Sequence, residues 1–146
     1  MPTSARPDPF TSSSFRVEID GVTSAAFRTV SGLAAEAEVI EYRQAGGGLA
    51  HTRKLPARVR YPNVVLERGL TTSHELWDWW KTLQDGTLQR RDVAIELVDA
   101  AGHVLLRWVL FDAWIARIEF SGLDASKNEV AIETIELAHE GLDLVS

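Results

Sequence analysis

Residues 128–141 read NEVAIETIELAHEG, and the segment from Glu129 to His139 is predicted to be the last strand of a β-sheet protein. Its apolar residues are Val130 and Ile132 on one face and Ala131, Ile135 and Leu137 on the other. Two apolar faces are typical of a central strand in a two-layer sandwich, which is buried on both sides. They are also typical of a strand that contacts a neighbouring subunit, and the residues alone leave both interpretations open.

Most of the remaining chain alternates between apolar and polar residues with a period of two, which predicts strands. These strands cover residues 15–19, 26–30, 35–42, 62–67, 92–97, 104–110 and 114–120. The odd-numbered residues of 92–97 and the even-numbered residues of 104–110 and 114–120 form the predicted core faces. Turns are predicted at residues 20–21 and 99–102, where glycine can adopt a positive φ.

One segment changes to a helical period and predicts an α-helix at about residues 72–84. Its apolar face consists of Leu76, Trp77, Trp80 and Leu83. Thr72 and Glu75 have the spacing of a capping box at the N-terminus, and Gly86 is suitably placed to end the helix. This arrangement predicts that Trp79 is exposed.

Together these elements indicate a mainly β fold, a small β-barrel or sandwich of about seven strands with one flanking α-helix. A chain of 146 residues is close to the commonest size of a single domain. Residues 1–14 are rich in Pro, Ser and Thr and are predicted to form a flexible arm. Residues 15–146 are predicted to form one domain.

The composition excludes several classes of protein. No apolar stretch approaches the roughly 20 residues that span a bilayer, and the N-terminus lacks the apolar segment of a secretory signal. We therefore expect a chain made in the cytoplasm without a signal peptide or membrane anchor. A net charge of −6 argues against a specific nucleic-acid site, because such surfaces need clustered Lys and Arg. The absence of cysteine excludes disulfides and thiolate metal sites.

No group of residues predicts an enzyme. The carboxylate pairs Glu133/Glu136 and Asp92/Glu96 show no sign of the desolvated cleft that glycosidase chemistry needs. The four histidines are scattered without metal-ligand spacing. No G-x-S-x-G motif occurs, and the glycine run 46–48 lacks the following Lys and Ser or Thr of a phosphate-binding loop. We therefore expect no catalytic residue, no metal and no cofactor.

Trp77, Trp79 and Trp80 are the strongest sign of a binding site, because three tryptophans could stack on sugar rings. Their helical spacing opposes this interpretation, since it places Trp77 and Trp80 in the core and leaves Trp79 alone at the surface. A single exposed Trp on a helix is more often an interface anchor. A carbohydrate-binding β domain is therefore the more distant alternative for the function.

Six stretches of this sequence resemble the inner-tube proteins of contractile phage tails. They are residues 15–21 (FRVEIDG), 39–43 (VIEYR), 53–56 (RKLP), 61–69 (YPNVVLERG), 76–79 (LWDW) and 128–141 (NEVAIETIELAHEG). The matches run in order along essentially the whole chain, and the last is the longest and most specific. This family includes tube proteins of myophage tails and of extracellular contractile injection systems. It is similar in fold to the type VI secretion tube protein.

The resemblance implies a β-barrel with one flanking helix, assembled as six copies in a ring. Rings would stack into a hollow tube that a contractile sheath drives through a target envelope, with no chemistry performed. The implied partners are further copies of the chain, the sheath protein, baseplate and spike proteins, and protein cargo in the lumen. The particle would be a phage tail or an extracellular or cytoplasmic injection particle. A tube initiator or baseplate adaptor of the same fold, which makes one ring, is the alternative.

Charge is distributed unevenly in a way that suits such rings, and the resemblance favours the interface interpretation of the last strand. Residues 53–60 contain four bases and no acid, and residues 129–143 contain five acids and no base. In head-to-tail rings unlike patches meet across each interface, although solvated faces are the alternative for both segments. The predicted interface residues are Arg53, Lys54, Arg58, Arg60, Glu129, Glu133, Ile135, Glu136, Leu137, His139 and Glu140. The predicted inter-ring loop consists of Gly46, Gly47 and Gly48.

Overall fold

A computed structural model describes residues 14–43 and 52–145, except for the side chains of residues 22–24. The predicted flexible arm lies outside the described residues apart from Ser14, which begins the first strand. The predicted inter-ring loop, Gly46, Gly47 and Gly48, also lies outside them. The elements of the described part are β1 (Ser14–Ile19), β2 (Val22–Phe27), β3 (Thr29–Ser31), β4 (Glu36–Arg43), β5 (Thr52–Arg60), β6 (Val64–Gly69), α1 (Glu75–Gln84), β7 (Arg91–Val98), β8 (Val104–Ser121), β9 (Ile132–Ala138) and β10 (Gly141–Leu144).

The prediction of a mainly β fold with one helix is confirmed, with ten strands in the described part where the sequence predicts about seven. One antiparallel sheet has the order β2-β1-β7-β8-β9-β6-β3, and β10 pairs with β8. β4 and β5 form a separate two-stranded sheet. The arrangement is sandwich-like and is not a closed barrel. Its core is built from apolar residues of the main sheet and α1, including Val17, Val64, Leu66, Leu76, Trp79, Val93, Ile95, Leu110, Ile115, Ile135 and Leu137.

β8 is one strand of 18 residues where the sequence predicts two. Its first part pairs with β7 and β10, and its second part pairs with β9, so it joins the two halves of the sheet. The backbone bends at Asp112, whose φ is 52°. Leu110 is buried before the bend, but Ala113 and Ile115 are buried after it. Because a one-residue slip turns each following side chain to the opposite face, the predicted even-numbered core face fails at its start, where Ile115 is buried in place of Trp114. A second register shift, between Ile115 and Arg117, restores it at Ile118, which lies opposite the buried Ile135 and packs against the core, whereas Phe120 is exposed.

β7 is buried on both faces, whereas the sequence predicts one buried face. The predicted core residues Val93, Ile95 and Leu97 are buried. On the opposite face Ala94 and Glu96 are buried too. Glu96 accepts hydrogen bonds from Arg16 Nε and from Arg107 Nη1, both at 2.8 Å. Burial alone would raise the pKa of the Glu96 carboxyl, but the hydrogen bonds and charges of the two arginines outweigh it and hold the pKa below its ordinary value of 4.5.

The lowered pKa of Glu96 predicts a specific pH dependence of stability. A carboxyl whose pKa is lower in the folded state stabilises the fold above its unfolded pKa, and this contribution is lost as the pH falls through the folded pKa. We expect Glu96→Gln to be less stable than the wild type at neutral pH, with the gap narrowing below about pH 4.5. Glu36→Gln is the control, because the Glu36–Arg60 pair is exposed. Urea unfolding at several pH values measures both, and a gap that does not change with pH would contradict the prediction.

The helix begins later than predicted, at Glu75, with His74 as its N-cap residue and no side-chain hydrogen bond at the cap. The predicted capping box of Thr72 and Glu75 is therefore wrong. The motif needs the acidic residue at the third helical position, and Glu75 occupies the first. The predicted end is confirmed, since the helix stops at Gln84 and Gly86 follows with a φ of 78°.

The face of the helix that enters the core also differs from the prediction. Leu76 and Trp79 are buried, Trp80 is partly buried against the core, and Trp77 is exposed. The indole of Trp79 donates a hydrogen bond to the carbonyl oxygen of Gln89 at 2.8 Å, so its polar atom has a partner inside the protein. Residues 76, 79 and 80 satisfy helical spacing as well as residues 76, 77 and 80 do, so periodicity alone could not choose between them.

The predicted strand at 26–30 also differs from the structure, which divides it between β2 and β3. β2 pairs with β1, and β3 pairs with β6, so the chain changes partner between them. The Arg28 amide at this point donates to the Glu67 carbonyl oxygen at 2.9 Å. Gly32 then ends β3 with a φ of 87°, and a Cβ placed there would lie 2.1 Å from the Asn63 carbonyl oxygen. A side chain is therefore excluded at Gly32 by both conformation and space.

Gly32→Ala is expected to lower the free energy of unfolding by about 2–4 kcal/mol, because left-handed strain and overpacking act together. Gly102→Ala is the matched control. Gly102 has nearly the same φ, 88°, but nothing lies within 4 Å of the added Cβ. It should lose only about 1–2 kcal/mol, the cost of the conformation. Equal losses in chemical denaturation would show that the contact with Asn63 is unimportant.

Candidate assembly surface

The hairpin formed by β4 and β5 contributes no residue to the core of the described structure. Every residue of both strands is exposed, and neither strand pairs with the main sheet. Its large apolar side chains are between 40% and 58% exposed: Val39, Ile40, Tyr42, Leu55 and Val59. A two-stranded hairpin alone is at best marginally stable in water. This hairpin therefore has apolar surface that the described part of the subunit does not cover.

The strand register places part of this apolar surface on one face of the hairpin. Ile40 lies opposite Leu55, and Tyr42 lies opposite Arg53. Residues directly opposite each other, and residues two apart along a strand, point to the same side. These four side chains therefore form one face, while Val39 points to the other. A face of this composition is typical of a protein interface, where aromatic residues and Arg are enriched.

The predicted basic residues all lie on β5 of this hairpin. Arg60 pairs with Glu36 of β4 at 3.0 Å, and both side chains are exposed. Arg53, Lys54 and Arg58 form no ion pair with any residue that the structure describes. The prediction that the basic segment is available to a neighbouring subunit is consistent with this placement and stays a prediction.

The predicted acidic segment is divided between the surface and the interior. Glu129 is exposed ahead of β9. Glu136 accepts a hydrogen bond from Asn63 Nδ2 at 2.9 Å, and Glu140 lies 3.4 Å from Arg90 Nη1 at the surface. These carboxylates remain candidates for an interface.

Three of the predicted interface residues are covered by the subunit itself. Glu133, Ile135 and Leu137 are buried, because β9 lies between β8 and β6 and is paired along both edges. β9 is therefore a central strand, the first of the two interpretations that its sequence allows. These three side chains cannot contact a neighbour in this conformation.

His139 lies at the end of β9, close to the β5–β6 connection. Its Nε2 atom is 3.0 Å from the Pro62 carbonyl oxygen, and its Nδ1 atom is 3.0 Å from the Gly141 carbonyl oxygen. The ring also packs against Tyr61, with 5.9 Å between the ring centroids. These contacts give His139 a role in fixing the two chain segments together within the subunit.

A second exposed apolar patch, which the sequence does not predict, lies where α1 meets β8. Trp77 and Phe120 pack with 6.1 Å between their ring centroids and an interplanar angle of 47°. Both are about 40% exposed. The burial of Trp79 and the tilt of these rings oppose the flat platform that stacking on a sugar requires. The carbohydrate-binding alternative is therefore poorly supported by the geometry.

The described residues offer little else in the way of a chemical site. Among residues 14–43 and 52–145, no group of three or more His, Asp or Glu side chains is placed to hold a metal ion. Within the same ranges, no helix is long and apolar enough to cross a membrane.

Comparison with known protein families shows to which family the chain belongs. The family of the T4-like virus tail tube protein gp19 matches residues 11–143. The chain belongs to this family. The resemblance inferred from the six sequence stretches is thereby confirmed. No curated protein matches the chain at a significant level.

Solved structures agree with membership of the tail tube family. A chain from the cryo-EM structure of the anti-feeding prophage tube-terminating cap is 25% identical with a TM-score of 0.84, over 99% of this chain and 96% of that chain. A chain from the extended sheath–tube complex of the extracellular contractile injection system PVC is 26% identical with a TM-score of 0.81, over 94% and 92%. Hcp1 from Salmonella typhimurium is 15% identical with a TM-score of 0.59, over 90% and 85%, and shares the fold.

Proposed function

We propose that this tail tube protein is a structural subunit of the inner tube of a contractile injection particle. Copies of the chain form hexameric rings, and the rings stack into a hollow tube that performs no chemistry. Its other partners are the contractile sheath, the baseplate and spike proteins, and protein cargo in the lumen. Two similar chains come from structures described as a sheath–tube complex and a baseplate, which supports the first two of these partners.

The observation that carries this proposal is the β4–β5 hairpin. It exposes an apolar face of Ile40, Leu55 and Tyr42 and pairs with no other strand of the described structure. Burial of apolar surface contributes about 25 cal/mol per Å². A neighbouring copy that covers this face therefore stabilises the contact between the two subunits. A subunit that is repeated around a ring makes this contact at every interface.

The experiment that tests the proposal is negative-stain electron microscopy of the purified protein, together with its mass in solution. We expect six-membered rings with a central hole, or stacks of such rings. A protein that stays monomeric at all concentrations and shows no rings would contradict the proposal.

The hairpin variant Ile40→Ser/Leu55→Ser makes the same experiment specific to this surface. We expect it to fold normally, because both side chains are exposed in the subunit, but to form rings at least about tenfold less readily, since two apolar contacts at each interface are lost. Val39→Ser is the matched control, because Val39 is exposed on the opposite face of the same hairpin. If the control weakens assembly as much as the double variant does, the face defined by Ile40 and Leu55 is not the contact.

The second candidate function is that of a subunit of a single ring at the end of the tube. Two similar structures that come from tube ends favour it. One is the anti-feeding prophage tube-terminating cap, and another is the PVC sheath/tube terminator, with a TM-score of 0.82 over 99% of this chain. A terminal subunit should make single rings, whereas a subunit of the main tube should make long stacks. The length distribution in the same micrographs separates the two.

A further inference from the structure

Arg68 and Glu133 form the most deeply buried ion pair of the described structure. They lie directly opposite each other on β6 and β9, and their side chains are only 5% and 4% exposed. Arg68 Nε donates to Glu133 Oε2 at 2.6 Å, and the guanidinium lies 5.3 Å from the centroid of the buried Phe27 ring. The Nη2 atom of Arg68 is buried and has no hydrogen-bond partner among the described residues. Buried donors of this kind are rarely left unpaired in native proteins, so this one calls for an acceptor.

An open hollow of about 470 Å³ lies over Arg68. Its lining consists of Ala25, Ala26, Arg68, Gly69, Thr71, Thr72 and Ser73. Three of these residues carry hydroxyl groups, and none carries a carboxylate. Glu133 lines a separate, smaller hollow of about 170 Å³, which shares Thr71 and Ser73 with the first. The hollow over Arg68 therefore combines an unused N–H donor of the ion-paired guanidinium with several hydroxyls.

This combination fits a carboxylate better than a neutral acceptor. The guanidinium presents its N–H groups in a planar fork, and hydrogen bonds from such a fork to an ionised carboxylate are stronger than those to a neutral group. The loop above Arg68 is weakly held, since the Ser73 amide donates to Thr71 Oγ1 at 3.2 Å and the Glu75 amide donates to Ser73 Oγ at 3.4 Å, both at the surface. A carboxylate that reaches the buried Nη2 requires these exposed side chains to move.

The chain itself offers a carboxylate of the right kind on the β4–β5 hairpin. Glu38 of β4 is exposed and forms no ion pair with any residue that the structure describes. It lies at the irregularity in the β4–β5 register, so it has no directly opposite residue on β5. Because the hairpin belongs to the exposed surface that a neighbour is expected to cover, this carboxylate is available to another subunit.

We propose that the hollow over Arg68 receives the carboxylate of Glu38 on β4 of a second copy of this chain. The inference rests on the proposed self-assembly and assigns one polar contact within it. The incoming carboxylate accepts a hydrogen bond from Arg68 Nη2, while Glu133 keeps its bond to Arg68 Nε. The buried ion pair of one subunit then becomes part of a three-group network across the interface.

The test replaces the ion pair as a unit, because removal of one partner alone would leave a buried charge and strongly destabilise the subunit. Arg68→Met/Glu133→Leu exchanges the pair for apolar residues of similar volume, a change that is usually neutral or stabilising for the fold. We expect this double variant to keep the circular dichroism spectrum and melting temperature of the wild-type subunit. Its critical concentration for assembly should rise by about tenfold or more, the effect of one charge-assisted hydrogen bond per interface. The control is Arg117→Met/Glu119→Leu, which replaces an exposed ion pair of β8.

A double-mutant cycle identifies the source of the carboxylate. Glu38→Gln should weaken assembly of the wild type but should have little further effect in the Arg68→Met/Glu133→Leu background. If the two losses simply add, or if Arg68→Met/Glu133→Leu assembles like the wild type, the proposed contact is overturned while the tube function stands. If the wild type itself never assembles, both proposals fall.

Discussion

Glu133→Ala is expected to lower the free energy of unfolding of the subunit by about 3–5 kcal/mol, because it leaves the buried Arg68 charged and without its partner. The loss should be measured by urea denaturation at a concentration where the protein is monomeric. Glu119→Ala is the matched control, since Glu119 also pairs with an arginine, Arg117, but both side chains are exposed. Exposed pairs contribute about 0–1 kcal/mol, so this variant should unfold almost like the wild type.

Glu133→Ala and Glu119→Ala remove the same charge from an ion pair with arginine. The difference between their losses of stability therefore measures the effect of burial. Arg68→Met/Glu133→Leu should recover most of the stability that Glu133→Ala loses, because it leaves no uncompensated charge in the interior. If Glu133→Ala and Glu119→Ala had similar effects, the pair between β6 and β9 would be solvated, and its inferred role in the hollow over Arg68 would lose its basis.

Trp79→Ala is expected to cost about 3–5 kcal/mol, because it removes a large buried side chain from the contact between α1 and the sheet. It also leaves the Gln89 carbonyl oxygen without its donor and removes the ring against which Arg91 packs at 5.3 Å. Trp77→Ala is the control two residues away on the same helix. Trp77 is 38% exposed, so its replacement should cost less than about half as much.

The two tryptophan variants also test which face of the helix is buried. The sequence alone predicts Trp77 in the core and Trp79 at the surface, and the structure places them the other way round. A larger loss of stability for Trp77→Ala than for Trp79→Ala, measured by thermal or chemical unfolding, would support the sequence-based face. The functional consequence is direct, because an exposed Trp77 beside Phe120 offers another patch for contact with a neighbouring subunit.

The fold divides its surfaces in a way that suits assembly. The main sheet and α1 form a core without help from the hairpin, as the composition of the buried cluster shows. The β4–β5 hairpin contributes no residue to that cluster, and all of its described residues are exposed. Variants on the hairpin should therefore change self-association without changing the stability of the subunit, whereas Trp79→Ala should do the opposite.

The sequence by itself determined the features that depend on neighbouring residues. Alternation with period two located most of the strands, a change of period located the helix, and glycine positions located its end and the turn at residues 99–102. Sequence blocks such as NEVAIETIELAHEG carried the family, since they depend on the order of residues and not on contacts.

Only the tertiary structure decided which faces and partners these elements use. The slip at Asp112 buried Ile115 in place of Trp114, and the packing of α1 on the sheet selected Trp79 over Trp77. β9 became a central strand because β8 and β6 pair with its two edges, and this placement buried Glu133 against Arg68, 65 residues away in the chain. The physical reason is that periodicity specifies how a segment alternates, whereas burial, register and ion pairing depend on segments that are distant in the sequence and meet only in the folded chain.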